Sequence, residues 1–259
     1  MIEMQRLNHD SSWHFSWQGK SFLLDPWLVG SEIDGFRWLN EQWHRTPPVP
    51  IEALPHYDFI VISQSYEDHC HLQTLEQLPA GVPILATGKA FRRLKKRFPQ
   101  RNILLIPDVG QSPALHVAGL DFLAFRPDKR LDPIYYALLI AEPGAKALFY
   151  APHGFTLTPA QKAALHPYDV QVLMATFTDF RLPAWLGGHV NPGMDNVEAL
   201  CQLLQPRWLL NTHDEEKIAR GLVARFAEIE YANFGEIEEM QALPFVHAPH
   251  YDKIRLSTS

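Results

Sequence analysis

Three apolar runs in this sequence end in residues suited to metal chemistry. "FIVIS", Phe59 to Ser63, leads through Gln64-Ser65-Tyr66-Glu67 into Asp68-His69-Cys70-His71. "ALFYAP" leads into His153, and "RWLLNT" leads into His213-Asp214. Imidazole and carboxylate groups are costly to bury at the end of an apolar strand unless something compensates them. A divalent cation would do so, because it offsets the lost hydration and the mutual repulsion of its ligands. With 13 histidines in the chain, no single instance is specific. The threefold recurrence at strand ends is what points to a site.

Each residue also has a plainer reading. Asp68 could cap the helix that follows Cys70, and His69 could be a hydrogen-bonded core histidine. Cys70 and His71 read as helix residues rather than ligands. His153 precedes Gly154 and could belong to a turn. Asp214 precedes "EEKIARGLVARF" and reads as a helix N-cap, which leaves His213 as the ligand candidate of that pair.

The elements that must position these residues are short strands alternating with amphipathic helices. "SWHFSW" and "KSFLLDPWL" flank Gln18-Gly19 as a hairpin. After Asp58, "FIVIS", "VPILAT" and "NILLIP" read as strands, with helices near His71–Leu78 and Lys89–Phe98. "LDFLAF", "YYALLIAE" and "KALFYAP" read as a second sheet, with "EPGAK" as a turn; "VQVLMAT" and "RWLLNT" are further buried strands. Helices are expected at Pro159–Leu165, Asp195–Leu204 and Glu215–Phe226. Strands in both halves with interleaved helices suggest two sheets packed face to face, helices outside. One domain over residues 1–259 is the expectation, with the strand ends meeting at one sheet edge. The segment "VGSEIDGFRWLNEQWHRTPPVP" reads as a surface excursion pinned by aromatics, or as a lid or subunit contact.

The bulk numbers restrict the function classes. A formal charge of −6 gives no global attraction to nucleic acid or anionic membrane. The stretch "KAFRRLKKRFPQR" is basic, but it reads as the solvated face of a helix, so a nuclease is the weakest of three readings. No apolar run is long enough to cross a bilayer. No secretory signal is evident and the two cysteines give no disulfide framework, so a reducing, cytoplasmic setting is expected.

"LNHDSSWHFSWQGKSFLLDPWL", "DFIVISQSYEDHCH", "ALFYAPHG" and "LLNTHDEEK" together resemble successive landmarks of the metallo-β-lactamase superfamily, nearest its ascorbate-phosphate-lactonase-like hydrolases. The resemblance implies an α+β fold, an αββα four-layer sandwich of two mixed β-sheets flanked by helices, with a metal site at one edge. The family's first motif, His-x-His-x-Asp-His, is here Gln64-Ser65-Tyr66-Glu67-Asp68-His69. The two histidines of the first metal are replaced, and Arg126 lies about where its third ligand would be. Asp68, His69, His153 and His213 remain as ligands for one divalent ion, zinc first, with manganese, iron or nickel as alternatives. Asp68 would also orient the nucleophile in hydrolysis of a small ester, lactone or phosphorylated compound. A domain that has lost catalysis and serves as a binding or scaffold module is the second reading. His9, His189 and Asn191 are candidate substrate contacts, and Asp25 is expected in a structural hydrogen-bonding role. A small-molecule substrate is the expected partner, with homo-oligomer formation left open.

Overall fold

The computed structural model describes residues 1–128, 135–143, 145–240 and 242–258. Its centre is a pair of facing β-sheets. The first has seven strands, in the order Lys253–Leu256, Ile2–Arg6, Trp13–Trp17, Lys20–Leu24, Phe59–Ile62, Ile84–Ala86, Ile103–Leu105. The second has six, in the order Trp208–Asn211, Asp169–Ala175, Lys146–Ala151, Ala137–Ala141, Leu120–Phe125, Leu115–Val117. Both are mixed. Antiparallel hairpins form one part of each sheet, and parallel pairs such as Phe59–Ile62 with Ile84–Ala86 form the other.

Alternation along the strands decides which layer each side chain enters. Phe59 and Val61 join Phe22, Phe122, Leu138 and Met174 in the core between the sheets. Ile60 and Ile62 point the other way, into a layer with Leu75, Ala90 and Leu94. Those residues come from the helices Leu72–Gln77 and Gly88–Arg97. On the outer face of the second sheet, Leu139, Phe149 and Leu173 pack with Leu165 and Val197. The helices there are Pro159–Leu165 and Gly193–Leu204. Four layers result, as the αββα expectation required.

The first hairpin turns on Gln18 and Gly19, both at positive φ, 53° and 71°, as a two-residue turn demands. The "EPGAK" turn includes residue 144 and so lies partly outside the described residues. Two three-stranded sheets were not expected. One joins Glu32–Ile33, Glu41–Trp43 and Ile218–Arg220; the other joins Asp179–Arg181, His189–Pro192 and Glu228–Glu230.

The helix expected over Glu215–Phe226 is corrected. Ile218–Arg220 is a strand and only Leu222–Phe226 is helical. The local pattern is overridden by long-range partners. Glu215 binds the His44 ring and the Arg45 amide, and Lys217 turns inward to Asp10 and Glu32. Gly221, at φ 106°, then breaks the chain before the short helix. Among the described residues, no helix is long and apolar enough to cross a membrane.

Candidate metal centre

Asp68 and His69 lie just beyond Phe59–Ile62, His153 follows Lys146–Ala151, and His213 follows Trp208–Asn211. These strands belong to the two facing sheets, so their ends meet at one rim. One donor atom from each of Asp68, His69, His153 and His213 lies within 4.8 Å of all the others. The Nε2 atoms of His69 and His153 are 3.1 Å apart, and His213 Nε2 is 2.7 Å from Asp68 Oδ2. His69 Nε2 is 3.5 Å from the same carboxylate oxygen. Metal–nitrogen bonds of about 2.0 Å give a tetrahedral edge of roughly 3.3 Å. The donor spacing therefore fits a single ion.

The outer nitrogens are already committed. His69 Nδ1 donates to Asp25 Oδ2 at 2.7 Å, and His153 Nδ1 donates to Asn191 Oδ1 at 2.8 Å. With those hydrogens fixed, the neutral rings present Nε2 lone pairs to one another, an arrangement that calls for a cation between them. The other oxygen of the Asp68 carboxylate, Oδ1, is buried with no hydrogen-bond partner.

Charge agrees with this donor set. Burial alone would raise the Asp68 carboxyl, but His69, His213 and Lys217 hold it well below the usual carboxylate range. Burial, with His213 and His69 close by, keeps His153 far below ordinary imidazole and therefore neutral. Burial disfavours a charged His69, yet Asp68 and Asp25 push its pKa up to about 9. A proton can therefore hold the place of an ion between these rings.

Local chain geometry fixes these side chains. His213 has φ 60°, unusual for a residue with a side chain, and its amide donates to Asp10 O at 2.9 Å. After His153 the chain turns at Gly154, φ +70°, where a Cβ would come within 2.6 Å of Pro192. Asp25 is itself held by the Ser63 amide at 2.7 Å, the Ser63 hydroxyl, and Tyr150 Oη at 3.0 Å.

The other sequence candidates fall in different places. Asn191 is buried and orients His153, which the sequence alone did not suggest. His189 is exposed, on Asp179 at 2.9 Å. His9 packs on the Tyr251 ring, 5.0 Å between centroids, and borders a separate depression with Arg6 and Arg45. Cys70 is fully buried, and burial pushes its thiol up to about 12, which disfavours the thiolate a metal would need. The helix cap is not Asp68 but His71, which accepts from the Thr74 amide. Asp214 caps nothing on its own segment. Its carboxylate accepts from the Thr176 hydroxyl and the amides of Phe177 and Thr178. Gln64 is buried and donates to Tyr136 O at 3.3 Å, while the rings of Tyr66 and Tyr135 stack at 5.7 Å. Arg126 is exposed.

Asp68, His153 and His213 open onto a cavity of about 410 Å³. Its lining also includes Asp10, Glu32, Asp34 and Lys217, residues with no individual sequence signal. Lys217 Nζ lies 3.0 Å from Asp10, 3.4 Å from Glu32 and 4.0 Å from Asp68.

The family described as "Beta-lactamase superfamily domain" matches residues 5–213. Among curated proteins, no sequence matches. Among solved structures, the chain is similar to Igni18, a metallo hydrolase from the archaeon Ignicoccus hospitalis, with 14% identity, TM-score 0.69 and full coverage of both chains. It is similar to an isothiocyanate hydrolase from Delia radicum gut bacteria, with 16% identity, TM-score 0.70 and full coverage of both. A third, described as a possible metal-dependent hydrolase from Veillonella parvula, gives 12% identity and TM-score 0.71, covering 99% of this chain and 100% of that one. At these identities the likeness concerns the fold.

Proposed function

The chain belongs to the β-lactamase superfamily, and from that premise we propose that it is a metal-dependent hydrolase of a small ester, lactone or phosphorylated compound. One divalent ion would be held by Asp68, His69, His153 and His213. The observation that carries this reading is the meeting of those four donors within 4.8 Å. The hydrolase descriptions of the similar Ignicoccus and gut-bacterial structures support the reaction class. Mixed imidazole and carboxylate donors suit zinc, with manganese, iron or nickel as alternatives.

Bound there, such an ion supplies Lewis acidity toward an acyl or phosphoryl oxygen and acidifies water. The chain's own residues do the positioning. Asp25 and Asn191 fix the ring orientation of His69 and His153, and Lys217 leans on the Asp68 carboxylate that would orient the nucleophile. Gln64 and Tyr66 stand where the resemblance would put the histidines of a first metal, which supports a mononuclear site. The same two residues favour the second reading, a scaffold without catalysis.

Metal content separates the readings when measured beside hydrolysis of esters, lactones and phosphodiesters. His69→Ala and His213→Ala should each lose the ion, and Asp68→Ala should lose turnover. Full metal occupancy in both histidine variants would remove the assignment. Absence of turnover with every metal supplied would favour the scaffold.

A further inference from the structure

The cavity has two unlike parts to its lining, and the substrate must match both. One is polar and carries Asp68, His153 and His213. The other is an apolar wall and carries Phe180, Leu182, Leu186, Val190, Val223 and Ile229. The wall is built by the second small sheet and the segments beside it. Phe180 and Ile229 are direct register partners across Asp179–Arg181 and Glu228–Glu230, so their side chains share one face. Val190 comes from the neighbouring strand His189–Pro192, Leu186 from the turn before it, and Val223 from the helix Leu222–Phe226. A volume near 410 Å³ lies in the usual range of small-molecule sites, about 300–1,000 Å³.

The charged residues at this cavity do not suit an anion. Asp10, Glu32 and Asp34 line it beside Asp68. Among the described lining residues, Lys217 is the one lysine and there is no arginine. Lys217 is already engaged by Asp10 at 3.0 Å and Glu32 at 3.4 Å. Phosphate and carboxylate groups are recognised by arginine forks, free ammonium groups or helix N-termini. Beyond the proposed ion itself, an anionic substrate would meet only acidic side chains, with burial pushing Glu32 and Asp34 toward their neutral acids. There is no unengaged ammonium or guanidinium among the described lining residues, whereas an uncharged apolar group gains from covering the wall.

We propose that this cavity takes an uncharged acyl compound, an ester or lactone carrying an apolar chain or ring, and disfavours phosphorylated and carboxylated ones. The apolar part lies against Phe180, Val190 and Ile229, and the carbonyl faces Asp68, His153 and His213. This rests on the hydrolase reading above and narrows its substrate. In the reaction, the oxygen of water bonds to the carbonyl carbon and the acyl C–O bond breaks. One proton of water goes to the departing alkoxide, and the other stays with the carboxylic acid until that ionises.

The test is binding, measured by titration calorimetry on the full chain with three probes that share a phenyl group: butyranilide, succinanilate and phenyl phosphate. Butyranilide should bind at least tenfold tighter than either anion. Ile229, 42% exposed, tolerates a charge, so Ile229→Glu should keep its circular dichroism and weaken butyranilide at least fivefold. Phe180→Asp gives a second probe of the same wall. Anions binding as tightly as butyranilide, no butyranilide binding, or indifference to both wall variants would each overturn the proposal. Turnover separates this from the hydrolase reading. Faster cleavage of p-nitrophenyl phosphate than of p-nitrophenyl butyrate would sink the substrate class and keep the hydrolase. Selective butyranilide binding without any ester cleavage would keep the cavity's preference and sink the hydrolase.

Discussion

The Nε2 atoms of His69 and His153 face each other at 3.1 Å, while the Nδ1 of each is bound elsewhere, to Asp25 and to Asn191. Two imidazole lone pairs at that distance repel unless a proton or a metal ion lies between them. The acceptors behind the rings thus aim the free nitrogens of both histidines at one shared point, as ligation would require. Asp68 and His213 close the same group from the other side, with donor atoms 2.7 Å apart.

Removing the proposed ion should therefore cost fold stability as well as activity. Ligand binding stabilises the native state by RT ln(1 + [L]/Kd), about 4 kcal/mol at a thousandfold excess over Kd. For a chain of this size that is a Tm drop of roughly 10 °C on chelation. Calorimetry with and without a chelator checks it. Refilling should restore the Tm at one ion per chain, because Gln64 and Tyr66 offer no second imidazole set.

The Asp25 carboxylate should matter to the metal without touching it. Both Asp25 and His69 are fully buried, and Asp25 also receives the Ser63 amide and the Tyr150 hydroxyl. Asp25→Asn should lower metal affinity by about 10–100-fold, the usual effect of losing a carboxylate behind a ligating histidine. Competition against a chromophoric chelator measures this. An affinity within twofold of the parent protein would show that the Asp25–His69 bond serves packing alone.

Much of this was legible in the sequence for one physical reason: a strand buried on both faces is a dense apolar run, and a polar group at its end is conspicuous. "FIVIS", "ALFYAP" and "RWLLNT" became strands, and the residues after them meet. The two small sheets that wall the cavity were not legible. Their strands are two to four residues long, such as Glu32–Ile33 and Asp179–Arg181, too short for any periodicity to register. Asn191 was expected as a substrate contact, because only the fold places it behind His153.

Away from the metal, His14 predicts a pH dependence. Its ring is buried on strand Trp13–Trp17, with Nε2 donating to His56 O at 3.0 Å, and burial lowers its pKa from the ordinary 6.5. The fold therefore favours the neutral ring, and the unfolded chain binds the extra proton first. Stability should be at its full value above pH 6.5 and fall as the pH drops below it. Urea unfolding at a series of pH values would show the slope, and His14→Gln should flatten it. An unchanged slope would assign the acid sensitivity to other groups.

Lys217 gives the largest expected loss. Its side chain is 10% exposed, and it stands between Asp10, fully buried at 3.0 Å, and Glu32, 3% exposed at 3.4 Å. Those carboxylates hold its pKa well above the ordinary value even though burial opposes the charge. Lys217→Met would leave the acids without their cation, and breaking such a buried pair costs about 3–5 kcal/mol. Removing one acid as well should return part of that loss, so Lys217→Met with Asp10→Asn should be more stable than Lys217→Met alone. Equilibrium unfolding of the two variants measures the difference. A loss below about 1 kcal/mol in the single variant would be the size expected of an exposed pair. It would mean that the inward turn of Lys217, which displaced the helix expected over Glu215–Phe226, is not what holds this segment against the cavity.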